Sequence, residues 1–246
     1  EACRKIIGYA GGSKPASRPS VRVSKSKRLK LKLPTFTQSE SQKEQLGELR
    51  NVSLEAIEIC IERGLVEFGN WRNHSSWFVT DNTGRNIQAR RLDGEPWPQI
   101  NAKAWTLPNS QASWPIGLEE SRPYPIILLV EGGPDLLAAA HFAWCEGRDK
   151  ETAIVAVMGA SHRLKSYSLT ILAGKRIRIF SHNDRSGIAF TKRWAKQLKN
   201  VGSIVDAVSF DGLIQTDGAE VNDLNDLCNV HADTFEQYAE IQSLVP

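Results

Sequence analysis

The chain is short of the features that mark several protein classes. Its four cysteines, Cys3, Cys60, Cys145 and Cys228, stand far apart and never form a CxxC pair. Neither a disulfide framework nor a zinc ribbon is indicated, and all four read as packing residues or surface thiols. No stretch approaches the roughly 20 apolar residues of a membrane span, and no charged segment followed by an apolar run resembles a secretion signal. A cytoplasmic location with no membrane partner is expected. No internal repeat is evident, and His74, His141, His162 and His231 fall in no metal-ligand spacing. What remains is a globular chain of 246 residues, 41% apolar, enough for one large core or two modest ones.

Acidic residues are also scarce where basic ones abound. Residues 1–50 hold 12 Lys or Arg against 4 Asp or Glu, and the rest hold 19 against 24, so the net charge of +3 comes from the leader. Between Lys14 and Lys32 there are eight basic residues, four serines, two prolines and no acid. That composition belongs to a solvated tether. It reads either as an arm that holds nucleic acid through its phosphates or as a linker kept soluble by charge. Before it, EACRKIIGYAGG reads as the last turns of a helix closed by Gly11, with no initiating methionine. A piece of a longer protein is expected, divided into a helix end over 1–12, a basic linker over 13–47, a small subdomain over 48–122 and a larger domain over 123–246.

Ser53 is placed to cap a helix in which Leu54, Ile57 and Ile61 recur at helical spacing, with Gly64 at its end. The segment WFVTDNTGRNIQARRLDG alternates apolar and polar residues around Asn82-Thr83-Gly84, as a hairpin does. From there on, strands are expected at 126–130, 153–158, 176–180 and 203–209, and helices at 134–146, 187–200 and 232–243. Such alternation implies a mainly parallel sheet flanked by helices, preceded by a small α+β basic subdomain.

Three short acidic motifs carry the chemistry. They are Glu131 in IILLVEGGPD, Asp184 in IRIFSHNDRSG, and Asp223 with Asp226 in VNDLNDL. Each is read as following a strand, and the loops beyond the carboxyl ends of parallel strands are where such sheets gather functional groups. Converging carboxylates with open water positions suit Mg²⁺ or Mn²⁺ and phosphoryl transfer. The first two also have a structural reading: Asp135 as a first-turn acid favoured by the helix macrodipole, and Asp184 as a helix cap.

Taken together, the motifs over residues 123–230 resemble the Toprim domain, the metal-binding fold shared by bacterial-type primases, topoisomerases and certain nucleases. EGGPDLLAAAHF resembles the primase form of the first motif and implies roles for Glu131 and Asp135. AVMGASHRL is similar to a later strand and loop, placing Gly159, Ala160 and Ser161 near the site. NDLNDL is similar to the last motif, contributing Asp223, Asn225 and Asp226. Upstream, GRNIQARRLDG and KAWTLPNS resemble the basic domain of the primase core, with Gly84 and Asn109 at motif positions, and this implies nucleotide or template contacts for Arg85, Arg90, Arg91, Lys103 and Trp105. Arg90 and Arg91 are adjacent, so in a strand only one can face a shared groove. Most of the tryptophans concentrated before residue 123 are expected to be buried, with Trp105 kept as a nucleic-acid contact.

The resemblance implies a primase core that makes short RNA primers on single-stranded DNA from nucleoside triphosphates, in a phage, plasmid or integrated element. It implies Mg²⁺ or Mn²⁺ held by Glu131, Asp135, His182, Asp184, Asp223 and Asp226, of which Glu131, Asp184 and Asp223 are catalytic. A replicative helicase is the implied partner, and without a GxxxxGK[ST] loop here that activity lies in another segment or chain. An upstream zinc-binding domain is also expected. One departure stands out: the chain has His182 where the family has the first aspartate of Asp-x-Asp. A neutral imidazole with a pKa near 6.5 removes a charge and suits Mn²⁺ or Zn²⁺ better than Mg²⁺, while Arg185 beside it could contact a triphosphate. A non-catalytic nucleic-acid-binding module and a Toprim nuclease are the alternatives.

Overall fold

The computed structural model describes residues 31, 33–159, 163–180, 182–231 and 243–246. The basic stretch 14–30, the loop residues Ala160 and Ser161, and nearly all of the helix expected over 232–243 lie outside them. Two helices come first, α1 (Glu40–Arg50) and α2 (Leu54–Glu62), followed by β1 (Val66–Trp71), β2 (His74–Val79), β3 (Gln88–Arg91) and β4 (Ala104–Thr106). These four strands form an antiparallel sheet in sequence order. Then β5 (Ile126–Val130), α3 (Gly133–Cys145), β6 (Thr152–Ala156), α4 (Ser166–Leu172), β7 (Arg176–Phe180), α5 (Arg185–Lys199) and β8 (Ile204–Ala207) alternate. Their strands pair in parallel in the order β6-β5-β7-β8.

The hydrophobic pattern explains the order. Every residue of β5 and β6 is buried, as a strand covered on both faces requires, whereas β8 at the edge is mostly exposed. Leu128 and Val130 point into one core cluster with α3, and Ile127 and Leu129 point into another with Ile171, Leu172 and Trp194 of α4 and α5. The first cluster also takes in Ala56, Phe68 and Trp77, so a single core runs across the boundary expected at residue 122. Ile116 and Ala156 exchange backbone hydrogen bonds of 2.9 Å, which covers the free edge of β6.

Two local expectations change. The linker assigned to 13–47 ends earlier, because Thr37 donates its N–H to Phe68 O at 2.8 Å, Phe36 bridges Gly69, and α1 begins at Glu40 under a Ser39 cap. In α2, Ser53 does cap the helix, accepting from Ala56 N at 3.3 Å. Its buried residues are Ala56, Ile57 and Cys60, with Leu54 left 42% exposed. The hairpin around Asn82–Gly84 is present as β2 and β3, pairing Val79 with Gln88. No helix among the described residues is long and apolar enough to cross a membrane.

Candidate metal centre and its basic flank

The parallel strands deliver their motifs to one edge. Val130 ends β5 and is followed by Glu131, then by Gly132 at φ 106°, a conformation that glycine adopts freely. The chain turns there into α3, whose first turn carries Asp135. A side chain at Gly133 would put its Cβ 2.5 Å from Val79 Cγ2 and 3.1 Å from Trp77 Cη2, so the glycine lets this helix end seat directly on β2. Phe180 ends β7, and His182 follows in a tight loop; a Cβ at Gly187 would run into the His182 carbonyl.

Asp223 arrives by a different route from the one expected. It does not follow a strand: β8 ends at Ala207, and a long loop returns the chain to the edge. Asn183 N donates to Asn222 O at 2.7 Å, which ties that loop to the His182 loop. Asp223 Oδ1 accepts from Asp226 N at 2.8 Å, and Asp226 Oδ2 accepts from Asn222 N at 3.0 Å. Asp226 therefore closes the loop that presents Asp223.

One imidazole nitrogen and two carboxylate oxygens, from His182, Asp135 and Asp223, lie within 4.8 Å of one another. His182 Nε2 is 3.5 Å from Asp135 Oδ2 and 4.0 Å from Asp223 Oδ2. Asp135 is buried, and its Oδ1 accepts from Asn225 N at 3.2 Å. The macrodipole position and the candidate ligand position are thus the same carboxylate. Burial raises the pKa of Asp135 to about 7 and also raises that of Asp223. His182 is raised to about 9, first by its hydrogen bond to Asp135, then by the charges of Asp135, Glu131 and Asp223 against an opposing burial effect. The neutral imidazole expected from the sequence is therefore an imidazolium in the ion-free protein, because three carboxylates face it.

Asp184 takes the structural alternative. Its Oδ1 accepts from Gly187 N at 2.7 Å and from Ser186 Oγ at 2.9 Å, capping α5, and these bonds lower its pKa. The side chain is exposed and does not belong to the cluster of facing ligand atoms. Glu131 is half-buried beside His182, close enough for its charge to act on the ring, but it too stands outside that cluster.

Two arginines flank the triad. Arg90 on β3 and Arg50 at the end of α1 approach the Trp77 ring, with guanidinium carbons 5.9 and 5.7 Å from its centroid. Burial lowers both pKa values, that of Arg90 to about 10 with Arg50 adding to the effect, while Asp135 and Asp223 pull the other way. Among the described residues neither Nε has a hydrogen-bond partner. Two half-buried guanidiniums beside each other, each with an unpartnered Nε, form a positively charged pair that suits an oxyanion. Arg50 was not foreseen, although Ser39 followed three residues on by Gln42 is a capping-box signature that marks α1.

The other basic candidates do not gather here. Arg91 pairs with Asp93 and donates to Pro96 O at 2.9 Å, facing away from Arg90 as the strand alternation requires. Trp105 pairs with Ala89 across the sheet and so lies on the face opposite Arg90, half-buried under Arg72 at 4.1 Å. Lys103 and Arg185 are exposed. Arg85 stacks on Trp114 at 4.0 Å in a separate pocket. Trp77, Trp97 and Trp114 are buried, as expected.

No family model matches the chain, and no curated protein matches it in sequence. Its course is similar to that of the primase fragment of the bacteriophage T7 primase-helicase protein, with a TM-score of 0.48 and 16% identity over 72% of this chain and 66% of that one. It is also similar to the zinc-binding and RNA polymerase domains of the Aquifex aeolicus primase, with a TM-score of 0.44 and 16% identity over 87% of this chain and 62% of that one. A DNA primase domain from Pseudomonas aeruginosa gives 0.44 and 16% over 83% and 62%. The chain thus spans about two thirds or less of these three solved chains. Likeness at this distance carries no argument about chemistry, which rests on the side chains above.

Proposed function

We propose that the chain is the catalytic core of a Toprim-type DNA primase, extending short RNA primers on single-stranded DNA by metal-dependent nucleotidyl transfer during replication of a phage, plasmid or integrated element. The observation that carries this reading is the convergence of Asp135, His182 and Asp223 at the carboxyl edge of the sheet with Arg50 and Arg90 beside them. Two carboxylates and an imidazole fit a divalent ion and suit Mn²⁺ better than an all-oxygen set would. When bound, such an ion neutralises phosphate charge and favours attack by a hydroxyl.

The protein's own groups supply the rest. Arg50 and Arg90 hold the triphosphate oxygens of the incoming nucleotide, because guanidiniums recognise phosphate through paired hydrogen bonds. Glu131, beside His182, takes the proton of the attacking primer hydroxyl. Asn225 and Asp226 hold Asp135 and the Asp223 loop in place. The basic stretch before Leu33 holds the template strand by its phosphates, and a helicase, in trans or in a longer chain, supplies single-stranded template.

The test is extension of a primer annealed to single-stranded DNA, with labelled nucleotides and Mn²⁺ or Mg²⁺, so that initiation is not required. Extension should vanish in Asp223→Ala, and Arg50→Ala or Arg90→Ala should raise KM for the nucleotide about tenfold or more, the loss expected for one charge-assisted hydrogen bond. Template binding with no extension under either metal would sink the reading. It would favour a non-catalytic nucleic-acid-binding module, which the imidazolium state of His182 also suits.

A further inference from the structure

Arg85 leads to a different part of the molecule. It lines an open cavity of about 610 Å³ together with Gln111, Trp114, Arg122, Tyr167 and Ile171. The cavity is far from the triad in two senses. Trp114 and Ile171 belong to the cluster packed under Ile127 and Leu129, whereas α3 with Asp135 covers the face of Leu128 and Val130. Arg122 precedes β5, and Lys175, which precedes β7, donates to the Arg122 carbonyl at 2.9 Å. The cavity therefore sits toward the amino edge of the strands, and the triad at the carboxyl edge.

Its walls are fixed before any ligand arrives. Trp114 Nε1 donates to the buried Asp81 at 2.8 Å, and the same carboxyl group accepts from Thr83 N at 2.9 Å. Gln111 N donates to Arg85 O at 2.7 Å, and Tyr167 Oη donates to Ser113 O at 3.0 Å. The Trp114 and Tyr167 rings stack 4.8 Å apart at 21°. The Arg85 guanidinium carbon lies over the indole, 4.0 Å from its centroid, and the group carries five N–H donors. Among the described residues, no hydrogen bond takes up the Arg85 guanidinium. Glu119 pairs with Arg122 and offsets one of the two charges, so the pocket keeps a net positive charge.

We propose that this pocket is a second binding site, for a nucleotide unit, with the phosphate on Arg85 and Arg122 and the base laid against Tyr167 and Ile171. The volume is in the range of small-ligand sites, about 300–1,000 Å³. A flat aromatic wall next to guanidinium donors matches a base joined to a phosphate, since stacking tolerates any base and the donors take the oxyanion. The unit comes either from a free nucleotide or from a single strand that crosses this edge. The site does not depend on the metal-centre reading and stands or falls apart from it.

The experiment uses the full chain in EDTA, irradiated with 5-iododeoxyuridine monophosphate or with a short oligothymidylate carrying one 5-iododeoxyuridine, and adducts are mapped by mass spectrometry. An adduct on Tyr167 is expected, its yield falling about tenfold in Arg85→Ala and in Arg122→Ala, as for loss of one hydrogen bond to a charged group, and unchanged in Asp223→Ala. An adduct from both probes identifies the free nucleotide as a sufficient ligand, and one from the oligomer alone identifies the strand. If Arg85→Ala does not fold, Arg122→Ala carries the comparison. No adduct on Tyr167 with either probe overturns the proposal, as does a yield indifferent to both arginine changes or equally reduced by Asp223→Ala.

Discussion

His182 faces Asp135 across the gap between β7 and α3, Nε2 to Oδ2 at 3.5 Å, with Asp223 Oδ2 at 4.0 Å from the same nitrogen. In the ion-free protein the ring serves as the counter-charge of an acidic cluster. A metal ion drawn to the cluster must displace the ring's proton, so proton and metal compete for one place.

That competition sets a pH dependence. His182 is raised from 6.5 to about 9, so its stabilising contribution is complete below 6.5 and is lost as pH rises through about 9. Asp135, raised from 3.8 to about 7, has already lost its preference for the protonated form by then. Thermal unfolding in EDTA should show Tm falling between pH 7 and about 9.5, and His182→Gln should flatten that fall. Over the same range the apparent affinity for Mn²⁺ should rise by about tenfold per pH unit, reflecting one released proton. His182→Asp should remove this pH slope and shift the preference toward Mg²⁺. A Tm indifferent to pH in the parent protein would show that His182 does not carry the charge.

Asp184 and Asp223 look alike in the sequence and should behave differently. Asp184→Ala removes the cap of α5, at a cost of about 1 kcal/mol, and should leave metal binding intact. Asp223→Ala removes a candidate ligand, so it should abolish Mn²⁺ binding, and losing the bond from Asp226 N and the attraction to His182 should lower ion-free Tm modestly. Calorimetric Mn²⁺ titration and Tm of both variants separate the roles. Loss of Mn²⁺ binding in Asp184→Ala would return that residue to the metal centre.

The contrast shows what was readable in advance. The apolar run 126–130 is β5 to the residue, because a strand buried on both faces leaves an unbroken signature, and 176–180 is β7, where Arg176 and Arg178 alternate with the buried Ile177 and Ile179. Glu131, Asp135 and His182 inherit their place from those strand ends. Asp223 reaches the same edge through a loop held by the bond between Asn183 N and Asn222 O, which leaves no local periodicity to read. Arg50 was hidden because α1 adjoins a basic, serine-rich stretch whose composition masks a helix start. Arg85 matched a motif by sequence, but the β2–β3 turn carries it to the other edge of the parallel sheet.

Gly133 tests whether the docking of α3 on β2 holds the centre together. Alanine there would place its Cβ against Val79 and Trp77, the ring that both arginines flank. An overpacked contact of this kind costs about 1–3 kcal/mol. Gly133→Ala should lower Tm and weaken Mn²⁺ binding together, since Asp135 sits in the same turn. A stable Gly133→Ala protein with unchanged metal affinity would show that the contact relaxes without moving the carboxylate.

The basic stretch has two readings left, and salt separates them. If residues 13–33 hold single-stranded DNA through phosphates, each ion pair formed releases a counterion, and log K falls with log salt by roughly 0.7 per neutralised phosphate. Deleting residues 13–33 should then weaken binding and flatten the salt slope by that amount for every phosphate left unneutralised. The deletion ends before Thr37, whose N–H pairs with Phe68 O, so the β1 edge and α1 stay intact, while loss of Leu31 from the cluster of Phe78, Ile87 and Trp97 should lower Tm slightly. Arg50 and Arg90 remain, so the truncated protein should still bind a nucleoside triphosphate with unchanged affinity. Fluorescence anisotropy of a labelled oligonucleotide across a salt series measures the slope for both proteins. An identical slope with and without the segment would make it a charged linker, and template binding would then fall to the folded surface alone.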